Sequence, residues 1–555
     1  FEDAGQDCFA LRGRRVGVFV GGFSLDNLID RFSITGRDHI SPSTATSSTL
    51  AMLSNRLSYA FDFRGPSLSI DTACSSSLVA THLACASLWS GESEIAIAGG
   101  VNMLLAPEPF MAMAKGGFLS RAGRCQAFDA AADGYVRAEG AGIVVLKPLA
   151  AALEAGDRIY ALIRATGLNQ DGATPGISMP NPKSQQALIR QVLGEAGLAP
   201  RDIAYAEAHG TGTQAGDPIE ANSLGAELGA GRPSASPLLV GSIKTNIGHT
   251  EAAAGVAGLI KAALVLFHRD VPPNLHFRQP NPRIDFESLG IAIPTRAQPL
   301  PPEGPLFAAV NSFGYGGANA HAVLGSAPAA ETAEAGEPES EEADRFFPLS
   351  ASDEAALGAY AAGLAKAAGA LPLRDVGFTL CRRRSHHPVR TAIWARSSED
   401  LARQLRDLRQ AQSEGEVRFS RAPDRPRRLL FVYTGMGAQY RGMGRQLFCE
   451  EPVFRAAIER CMLLARPFGD TSLAEAFGGT GPGTHGEPIG APVEVQLPNL
   501  ALQVGLTELW RSLGVEPEGI VGHSVGEISA AWAAGALTLE EAVRLACRRG
   551  QVFQK

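Results

Sequence analysis

The sequence is poor in cysteine and in charge for its length. Its 555 residues contain eight cysteines, and charged residues make up only 19%, with a net charge of −7. The cysteines are scattered and form no CxxC pair, which argues against a metal site or a disulfide framework and favours a reducing, cytoplasmic location. Because no basic block is present, nucleic acid and an anionic membrane surface are not expected as partners. No apolar run reaches the roughly 18 residues that cross a bilayer, and no signal-peptide pattern opens the sequence.

The apolar fraction of 45% is that of an ordinary globular protein. A chain of this length exceeds what one hydrophobic core can organise, so about three domains are expected. The sequence opens on a helix end at residues 1–5 and stops within a helical pattern at residues 551–555, and we interpret it as a fragment of a longer protein.

Residues 1–325 alternate strand-like and helix-like segments, many of them next to glycines and small residues. This alternation predicts an α/β core built in layers. Helices are predicted at residues 76–89, 184–195 and 252–270. Strands are predicted at residues 16–20, 66–70, 94–99, 142–147, 160–167, 203–206, 238–241, 308–313 and 322–324.

The composition changes at residue 326. Residues 326–344 are acidic and carry no large apolar side chain, which predicts a solvated linker. Residues 345–425 predict a smaller α/β domain, in which we expect Ser352 to cap the first helix. The basic run at residues 382–387 favours a solvated face or an interdomain contact over a phosphate site.

The remaining predicted helices and strands lie in this smaller domain and in the domain that follows it. The smaller domain has predicted helices at residues 352–368 and 399–414 and a strand at residues 392–396. A further domain, residues 426–555, opens with a predicted strand at residues 429–433.

A cysteine stands where a strand-like segment meets a helix-like one. Cys74 follows residues 66–70 and precedes residues 76–89, and its neighbours are small. Unpaired N–H groups and the positive end of the dipole at a helix start favour a thiolate, so Cys74 is a candidate nucleophile. The alternative is a buried structural cysteine, which is a common fate of a lone cysteine.

Three further stretches bear on Cys74. EAHGTGT at residues 207–213 and KTNIGHTEAAAG at residues 244–255 each place a histidine among glycines and hydroxyls, and NSFGYGGANAH at residues 311–321 opens with a turn rich in backbone donors. A lone histidine at a strand end is usually a structural residue. Two of them beside a candidate nucleophile favour a catalytic site.

Together with DTACSSSL at residues 71–78, these stretches resemble the active-site motifs of the β-ketoacyl synthases, the condensing enzymes of fatty-acid and polyketide synthesis, in the order of that family. The resemblance covers residues 1–325, and it extends to FDFRGPS, GRCQAFDAAADGY and EGAGIVVLKPL at residues 61–67, 123–135 and 139–149. It implies a thiolase-like fold with a five-layered αβαβα core, a homodimer, and an N-terminal segment preceding Phe1.

The resemblance also implies the roles of individual residues. Cys74 holds the growing acyl chain as a thioester, and His209 and His249 stabilise the enolate that forms when a malonyl thioester loses carbon dioxide. Lys244 supports this pair. The remaining implied roles belong to Tyr315, whose N–H forms an oxyanion hole with that of Cys74, and to Thr211 and Thr213, which bind the phosphopantetheine arm. The aromatic residue at position 315 is usually Phe in the family.

The last domain carries GHSVG at residues 522–526 between a strand-like and a helix-like segment, which is the context of a nucleophile elbow. With GMGAQYRGMG at residues 435–444 and Gln496, it resembles a malonyl-CoA:ACP acyltransferase, whose fold is α/β-hydrolase-like. The resemblance makes Ser524 the nucleophile and assigns its oxyanion hole to the N–H groups of Met436 and Val525. Arg549 and Gln496 are implied to bind the substrate, with Arg549 on the malonyl carboxylate.

Two departures concern the acyltransferase. The family usually has Gln where Met436 stands, and because the backbone is the donor, this change should be tolerated. Val525 is typical of malonyl-selective members. The general-base histidine of the family pattern falls after Lys555.

The order of domains is that of a multidomain type I polyketide synthase or fatty acid synthase. The boundaries predicted are residues 1–325 for an N-terminally truncated β-ketoacyl synthase, 326–344 for the linker, 345–425 for the linker domain and 426–555 for a C-terminally truncated acyltransferase. The implied function is that of a 3-oxoacyl-[acyl-carrier-protein] synthase. The implied partners are an acyl carrier protein domain (ACP) and malonyl-CoA or a related acyl-CoA, and no bound cofactor or metal is expected.

Three alternatives compete with this interpretation. A degradative thiolase shares the fold but uses a second catalytic cysteine, and the stretch around Tyr315 has none. A non-catalytic chain-length-factor-like or scaffold subunit lacks the nucleophile that Cys74 supplies. A loading domain that only decarboxylates typically has Gln at the position of Cys74.

Overall fold

Apolar runs bounded by glycines dominate the first 325 residues, and they form the strands of two mixed sheets in the computed structural model of the chain. The structure describes residues 1–33, 36–328, 345–413, 419–423, 427–437, 439–440, 442–469, 473, 476–477 and 492–553. Most of the predicted acidic linker therefore lies outside the described residues. The chain divides into two units, Phe1–Arg421 and Ala422–Lys555. The finer domain boundaries remain a prediction.

The first unit contains fifteen strands and twelve helices among its described residues. The strands are β1 Val16–Gly21, β2 Ser67–Ile70, β3 Ile95–Asn102, β4 Gly140–Leu146, β5 Ala161–Gln170, β6 Ile203–Glu207, β7 Leu238–Gly241, β8 Asp270–Val271, β9 Ile291–Ala292, β10 Gln298–Pro299, β11 Phe307–Phe313, β12 Ala318–Ser326, β13 Arg345–Ala351, β14 Val389–Ala395 and β15 Ser420–Arg421. The helices are α1 Asp26–Phe32, α2 Ala51–Phe61, α3 Ser76–Trp89, α4 Glu108–Lys115, α5 Leu149–Glu154, α6 Pro182–Glu195, α7 Gly216–Leu224, α8 Lys244–Ile247, α9 Ala254–His268, α10 Glu354–Ala368, α11 Leu373–Arg382 and α12 Ser398–Ser413.

The two large sheets repeat one topology. The first sheet has the order β2-β1-β3-β4, with β4 antiparallel to three parallel strands. The second has the order β5-β12-β11-β6-β7-β9, and its strands β7-β6-β11-β12 reproduce the same order and directions. The first unit therefore contains two similar halves, as a thiolase-like fold implies.

Helices cover both faces of each sheet, because the strands are apolar on both sides. Val16, Val18 and Val20 of β1 pack in the cluster that includes side chains of α2, whereas Phe19 packs with α3. The second sheet is covered by α6 and α7 on one face and by α9 and α3 on the other. The layers are thus α2, first sheet, α3 with α9, second sheet, and α6 with α7, which is the predicted five-layered arrangement.

Most predicted elements are present, with shifted ends. Helix α3 has the predicted bounds, but β12 is longer than predicted, and residues 1–5 form a turn rather than a helix end. The predicted cap of α10 is wrong by one residue: Asp353 accepts the Ala356 N–H at 2.8 Å, while Ser352 donates to Asp353 instead. A carboxylate at this position stabilises the helix start more strongly than a hydroxyl because it also opposes the dipole.

One helical segment of the described chain is apolar enough and long enough to cross a membrane. It is Glu251–His268, with a mean hydropathy of 1.5, and 67% of it is buried inside the fold. This burial is that of a core helix, since α9 lies in the central layer.

Strands β13-β14-β15 form a small antiparallel sheet that packs with α10, α11 and α12. The basic run at residues 382–387 joins this small subdomain to the rest of the first unit. Arg383 pairs with Asp157 at 2.7 Å and donates to the carbonyl oxygens of Ala155 and Gly156, and Ser385 donates to Asp7. The expected interdomain contact, rather than a phosphate site, is what these residues form.

The second unit has two parallel strands, β16 Leu430–Tyr433 and β17 Gly519–Gly522, and five described helices of at least six residues. Its apolar core lies between the longer helices. The helices are α13 Arg445–Glu450, α14 Pro452–Ala465, α15 Pro492–Ser512, α16 Gly526–Ala533 and α17 Leu539–Phe553.

Candidate active site

Cys74 lies in a tight turn between β2 and α3. The turn opens at Ala73, a non-glycine residue with a φ of 56°, and α3 begins two residues after Cys74 at Ser76. Such a conformation is sparsely populated for residues with a Cβ, and it is typical of functional turns. The turn places the buried thiol at the start of a 14-residue helix.

The second sheet supplies the groups that face Cys74. Its strands β6, β7 and β11 are parallel, so their carboxyl ends meet at one edge. His209 follows β6, the stretch with Lys244 and His249 follows β7, and Tyr315 follows β11. A cavity of about 110 Å³ is lined by Cys74, Met113, Phe118, Tyr135, Asp171, Ser178, Pro180, Gln185, His209, Thr211, Thr213, Gly216, Asp217, Glu220, His249, Phe313, Gly314 and Tyr315.

The turn after β11 approaches the cysteine turn closely. A Cβ added to Gly314 would lie 2.4 Å from the Thr72 carbonyl oxygen, so only glycine permits this approach. Ser312 donates to the Cys74 carbonyl oxygen at 2.8 Å. The backbone N–H groups of Tyr315 and of Cys74 itself lie near enough to the Cys74 sulfur to lower the pKa of its thiol. Two amides therefore converge where an oxyanion on a Cys74-bound acyl group would form.

The resting state of Cys74 is a thiol. Burial raises the pKa of Cys74 to about 12, and the negative charge of Glu251 adds to this, while Lys244 and the two backbone N–H groups act in the opposite direction. The backbone N–H of Cys74 lowers its pKa, in the expected direction, but burial raises the pKa by more, so the net shift disfavours the thiolate.

Both histidines accept a backbone hydrogen bond at Nδ1, and this bond fixes the tautomer of each ring. Nδ1 of His209 accepts the Phe313 N–H at 3.4 Å, and Nδ1 of His249 accepts the Glu251 N–H at 3.2 Å. Burial lowers the pKa of each imidazole well below its usual range, and the Lys244 charge lowers both further. Neutral rings whose Nδ1 accepts must carry their proton on Nε2. The rings lie edge to face with centroids 5.4 Å apart, so the cavity holds two neighbouring Nε2–H donors.

Lys244 is buried behind the cavity rather than in its lining. Burial lowers the pKa of Lys244, while the carboxylates of Glu207 and Glu220 raise it. Its charge is the one that acts on Cys74, His209 and His249 alike.

Two carboxylates that we did not predict hold the loop after β6. Glu220 accepts the N–H groups of His209 and Gly210 at 2.7 and 2.8 Å. Asp217, one helical turn earlier on α7, accepts the N–H groups of Phe128 and Gly212, and burial raises its pKa to about 7. Their spacing of three residues on one helix face was the available signal.

A buried ion pair lies directly behind His249. Arg137 donates to both oxygens of Glu251 at 2.6 and 2.9 Å, and the two side chains are 1% and 2% exposed. Asn102 donates to the same carboxylate at 3.1 Å. Glu251 also supplies the N–H that fixes the His249 tautomer, so the pair and the catalytic candidate are linked.

His321 on β12 should make the stability of the fold depend on pH. Its Nδ1–H donates to Asn311 Oδ1 at 2.6 Å, Asn311 in turn donates to Glu220, and burial lowers the pKa of His321 to about 3. Because this value lies below the ordinary 6.5, the neutral ring stabilises the fold fully above pH 6.5, and the contribution is lost as the pH falls from 6.5 towards 3.

We therefore expect His321→Asn to be less sensitive to acid. Over that range its unfolding free energy should fall by up to about 1.4 kcal/mol less per pH unit than that of the unsubstituted protein. Urea denaturation at a series of pH values measures this slope. Equal slopes for the two proteins would contradict the neutral buried state.

The remaining predicted residues of the first unit lie at the entrance side of the cavity. Thr211 and Thr213 line it, with their hydroxyl oxygens 3.1 Å apart. The side chain of Tyr315 is 44% exposed and contacts Phe23 edge to face at 6.0 Å between centroids. Phe23 was not predicted, and the sequence around it carries no signal that would have identified it.

The second unit contains a separate nucleophile turn. Ser524 follows β17 with a φ of 57°, and α16 begins two residues later. Both flanking glycines are required, since a Cβ on Gly522 would lie 2.6 Å from the Glu527 Cα and one on Gly526 would lie 2.2 Å from the Tyr433 carbonyl oxygen. This is the strained strand-to-helix geometry of a G-x-S-x-G nucleophile elbow.

The other acyltransferase candidates lie around this turn or on the helices near it. Gln496 donates from Nε2 to the Met436 sulfur at 3.1 Å, and a Cβ on Gly435 would lie 3.0 Å from the Ser524 Cβ. Val525 is fully buried. Arg549 is half-buried on α17, which packs against α15 and α16.

Four family models match the chain. They are the β-ketoacyl synthase N-terminal domain at residues 1–152, the β-ketoacyl synthase C-terminal domain at 160–278, the ketoacyl-synthetase C-terminal extension at 280–393 and the acyl transferase domain at 430–555.

Similar curated proteins are much longer than the chain. Polyketide synthase GfsA of Streptomyces halstedii is 42% identical over 565 residues, which cover 100% of the chain and 7% of that protein. Erythronolide synthase EryA3 of Saccharopolyspora erythraea is 41% identical over 560 residues, which cover 100% of the chain and 17% of that protein.

Solved structures of similar proteins are ketosynthases. The oxazolomycin ketosynthase domain OzmH KS7 of Streptomyces albus has a TM-score of 0.67 at 40% identity, covering 74% of the chain and 71% of that structure. The ketosynthase from module 6 of the bacillaene synthase of Bacillus subtilis has a TM-score of 0.65 at 34% identity, covering 84% of the chain and 75% of that structure.

Proposed function

The chain belongs to the type I polyketide synthases, with a ketosynthase followed by an acyltransferase domain, and from this premise we propose that its first unit performs a decarboxylative Claisen condensation. The observation that carries the proposal is the cavity itself. It holds one buried thiol near the backbone N–H groups of Cys74 and Tyr315, beside two neutral imidazoles whose Nε2 atoms carry the proton.

The reaction begins with acyl transfer to Cys74. The sulfur attacks the carbonyl of an incoming acyl thioester, its proton leaves with the departing pantetheine thiol, and a new thioester forms on Cys74. The N–H groups of Cys74 and Tyr315 stabilise the tetrahedral oxyanion. Since the resting group is a thiol, its deprotonation is part of this step, and the charge of Lys244 favours it.

The extender unit then enters the same cavity. A malonyl group on an ACP loses carbon dioxide, and the electron pair of the broken C–C bond becomes an enolate whose oxygen accepts from the Nε2–H groups of His209 and His249. The enolate carbon attacks the acyl carbonyl on Cys74, a C–C bond forms, the C–S bond breaks and the sulfur is protonated again. Thr211 and Thr213 bind the phosphopantetheine arm that delivers the unit.

The second unit contributes to loading malonyl groups onto the ACP. The Ser524 hydroxyl attacks the thioester carbonyl of malonyl-CoA, and the N–H groups of Met436 and Val525 hold the oxyanion. The C–S bond breaks, CoA leaves as a thiol with the serine proton, and the malonyl ester on Ser524 then passes to the thiol of the ACP arm. Arg549 binds the free carboxylate and Gln496 orients the substrate. Val525 next to the nucleophile supports a malonyl extender.

The partners follow from this chemistry. They are an ACP, malonyl-CoA or a related acyl-CoA, and a second copy of the chain, with no resident cofactor and with a cytoplasmic location. The homodimer is supported by β2, which ends the first sheet and leaves its outer backbone groups unpaired among the described residues, with Leu68 46% exposed. A scaffold role is disfavoured because the nucleophile is present in a formed cavity.

Intact-mass measurement after incubation with acyl thioesters tests the proposal. We expect one acyl group per chain on Cys74 and none on Cys74→Ala. Cys85→Ala is the matched control, since Cys85 lies on α3, is buried, and has a pKa that burial also raises to about 12. Unchanged acylation and product formation in Cys74→Ala would instead support a scaffold.

A further inference from the structure

Three buried carboxamides surround the turn at residues 434–437 in the second unit. Gln439 accepts the Gly437 N–H at 2.8 Å and donates to the Gly435 carbonyl oxygen at 3.1 Å. Asn499 and Gln503, both on α15, donate to the Thr434 carbonyl oxygen at 3.2 and 2.9 Å. The turn is therefore fixed from within by one side chain and from the helix by two.

The three side chains do not act separately. Gln439 also donates from Nε2 to Asn499 Oδ1 at 2.8 Å, so the contact inside the turn and the contact from α15 share a hydrogen bond. Asn499 is 2% exposed, and Gln439 and Gln503 are 9% and 8% exposed. Gln439 and Asn499 use both the oxygen and the nitrogen of their amides in these bonds, which defines their orientations because an unmet buried donor or acceptor costs about 1–3 kcal/mol. The Gln503 oxygen has no partner among the described residues, so its orientation is less strictly defined.

The turn lies directly against Ser524. Strands β16 and β17 are parallel with Tyr433 opposite Gly522, so the turns that follow them lie at the same edge. The His523 N–H donates to the Tyr433 carbonyl oxygen at 3.0 Å. A Cβ added to Gly435 would lie 3.0 Å from the Ser524 Cβ, so the backbone of the turn lies against the Ser524 side chain.

The hydrogen bonds leave the Met436 amide available to a substrate. Gln439 takes the Gly437 N–H, whereas no acceptor among the described residues takes the N–H of Met436 or those of Thr434 and Gly435 before it. The Met436 amide is the donor assigned to the oxyanion at Ser524, and its direction depends on the carbonyl and amide groups that the carboxamides hold on either side of it.

We propose that Gln439 and Asn499, assisted by Gln503, are positioning residues of the acyltransferase, which hold the Met436 N–H towards the oxyanion formed at Ser524. The inference rests on the proposed acyltransferase function. None of the three touches the reacting atoms. They act through the backbone of residues 434–437, and they should affect the transition state more than the ground state, because the oxyanion exists only after attack.

The test uses Gln439→Leu and Asn499→Leu in the full-length synthase, with malonyl transfer to the ACP as the activity. Removing a direct oxyanion donor costs about 100- to 1,000-fold in kcat, so a misdirected donor should cost roughly 10- to 100-fold with KM for malonyl-CoA little changed. Because the two side chains share a hydrogen bond, the double variant should lose less than the product of the single losses.

Thr507→Val is the matched control. Thr507 is also buried on α15, shares a hydrogen bond with the Tyr433 hydroxyl at 2.8 Å and donates to the Gln503 carbonyl oxygen at 2.7 Å, but no hydrogen bond among the described residues joins its side chain to residues 434–437. Thr507→Val should lower the melting temperature about as much as Gln439→Leu and Asn499→Leu do, while leaving kcat within about twofold of that of the unsubstituted protein. Gln503→Leu removes one hydrogen bond to the Thr434 carbonyl oxygen, which Asn499 also contacts. It provides a milder variant if Asn499→Leu does not fold.

Two results would overturn the inference: an unchanged kcat in both leucine variants, or losses that follow melting temperature equally in the variants and the control. Ser524→Ala separates this failure from that of the proposed function. If Ser524→Ala transfers malonyl groups as fast as the unsubstituted protein, the acyltransferase assignment itself is wrong.

Discussion

His209→Ala and His249→Ala should each lower decarboxylation of malonyl-ACP by about 100- to 1,000-fold while acyl loading of Cys74 persists. Each change removes one Nε2–H donor to the enolate oxygen, and loss of one such donor typically costs this much. Loading depends instead on the amides of Cys74 and Tyr315, which neither change touches. The two readouts are carbon dioxide release and intact mass.

Glutamine replacements make the same prediction more specific. The amide of His249→Gln can place a donor near the original Nε2, so this variant should retain more decarboxylation than His249→Ala. Equal losses of loading and decarboxylation in all variants would contradict the division of labour between the histidines and the backbone amides.

Replacing Arg137 alone with methionine should lower the free energy of unfolding of the first unit by about 3–5 kcal/mol. The change leaves the Glu251 carboxylate buried with only the Asn102 amide as a side-chain donor, and an uncompensated buried charge is costly. Denaturant unfolding followed by tryptophan fluorescence measures the loss.

The double variant Arg137→Met with Glu251→Leu is the informative control. Removing both charges together should restore much of the lost stability, because a buried ion pair replaced by apolar side chains is often nearly neutral. If the double variant is no more stable than Arg137→Met, the loss in the single variant does not come from an unpaired buried carboxylate. Both variants keep the backbone N–H of residue 251, which donates to His249 Nδ1, so the His249 tautomer should be unchanged.

Local signals in the sequence were enough for the long elements. Helix α3 has its predicted bounds because apolar residues fill it throughout and the small residues before it form a turn. Short or partly polar elements were less accessible. The two-residue strands β8 and β10 form only because they meet each other in the fold, and the cap of α10 was placed one residue early because Ser352 and Asp353 both suit that position.

The residues of the candidate site also fall into those that the sequence predicted and those that it did not. Cys74, His209, His249 and Ser524 could be found because each stands in a motif at a strand end. Parallel pairing of β6, β7 and β11 brings the ends that carry His209 and His249 together. Glu220, Asp217 and Arg137 were missed because nothing local distinguishes a carboxylate that binds a backbone loop, or an arginine paired 114 residues away, from a surface charge.

The chemical groups of the site can be read from the residues alone: a thiol and a hydroxyl at strand-to-helix turns, two histidines, and glycines where backbones must meet. Their protonation states depend on the folded structure. Cys74 is a neutral thiol because distant segments bury it, and the two imidazoles carry their protons on Nε2 because the N–H groups of Phe313 and Glu251 occupy Nδ1. Protonation depends on solvent exclusion and on neighbours far along the chain, and these exist only once the layers have packed.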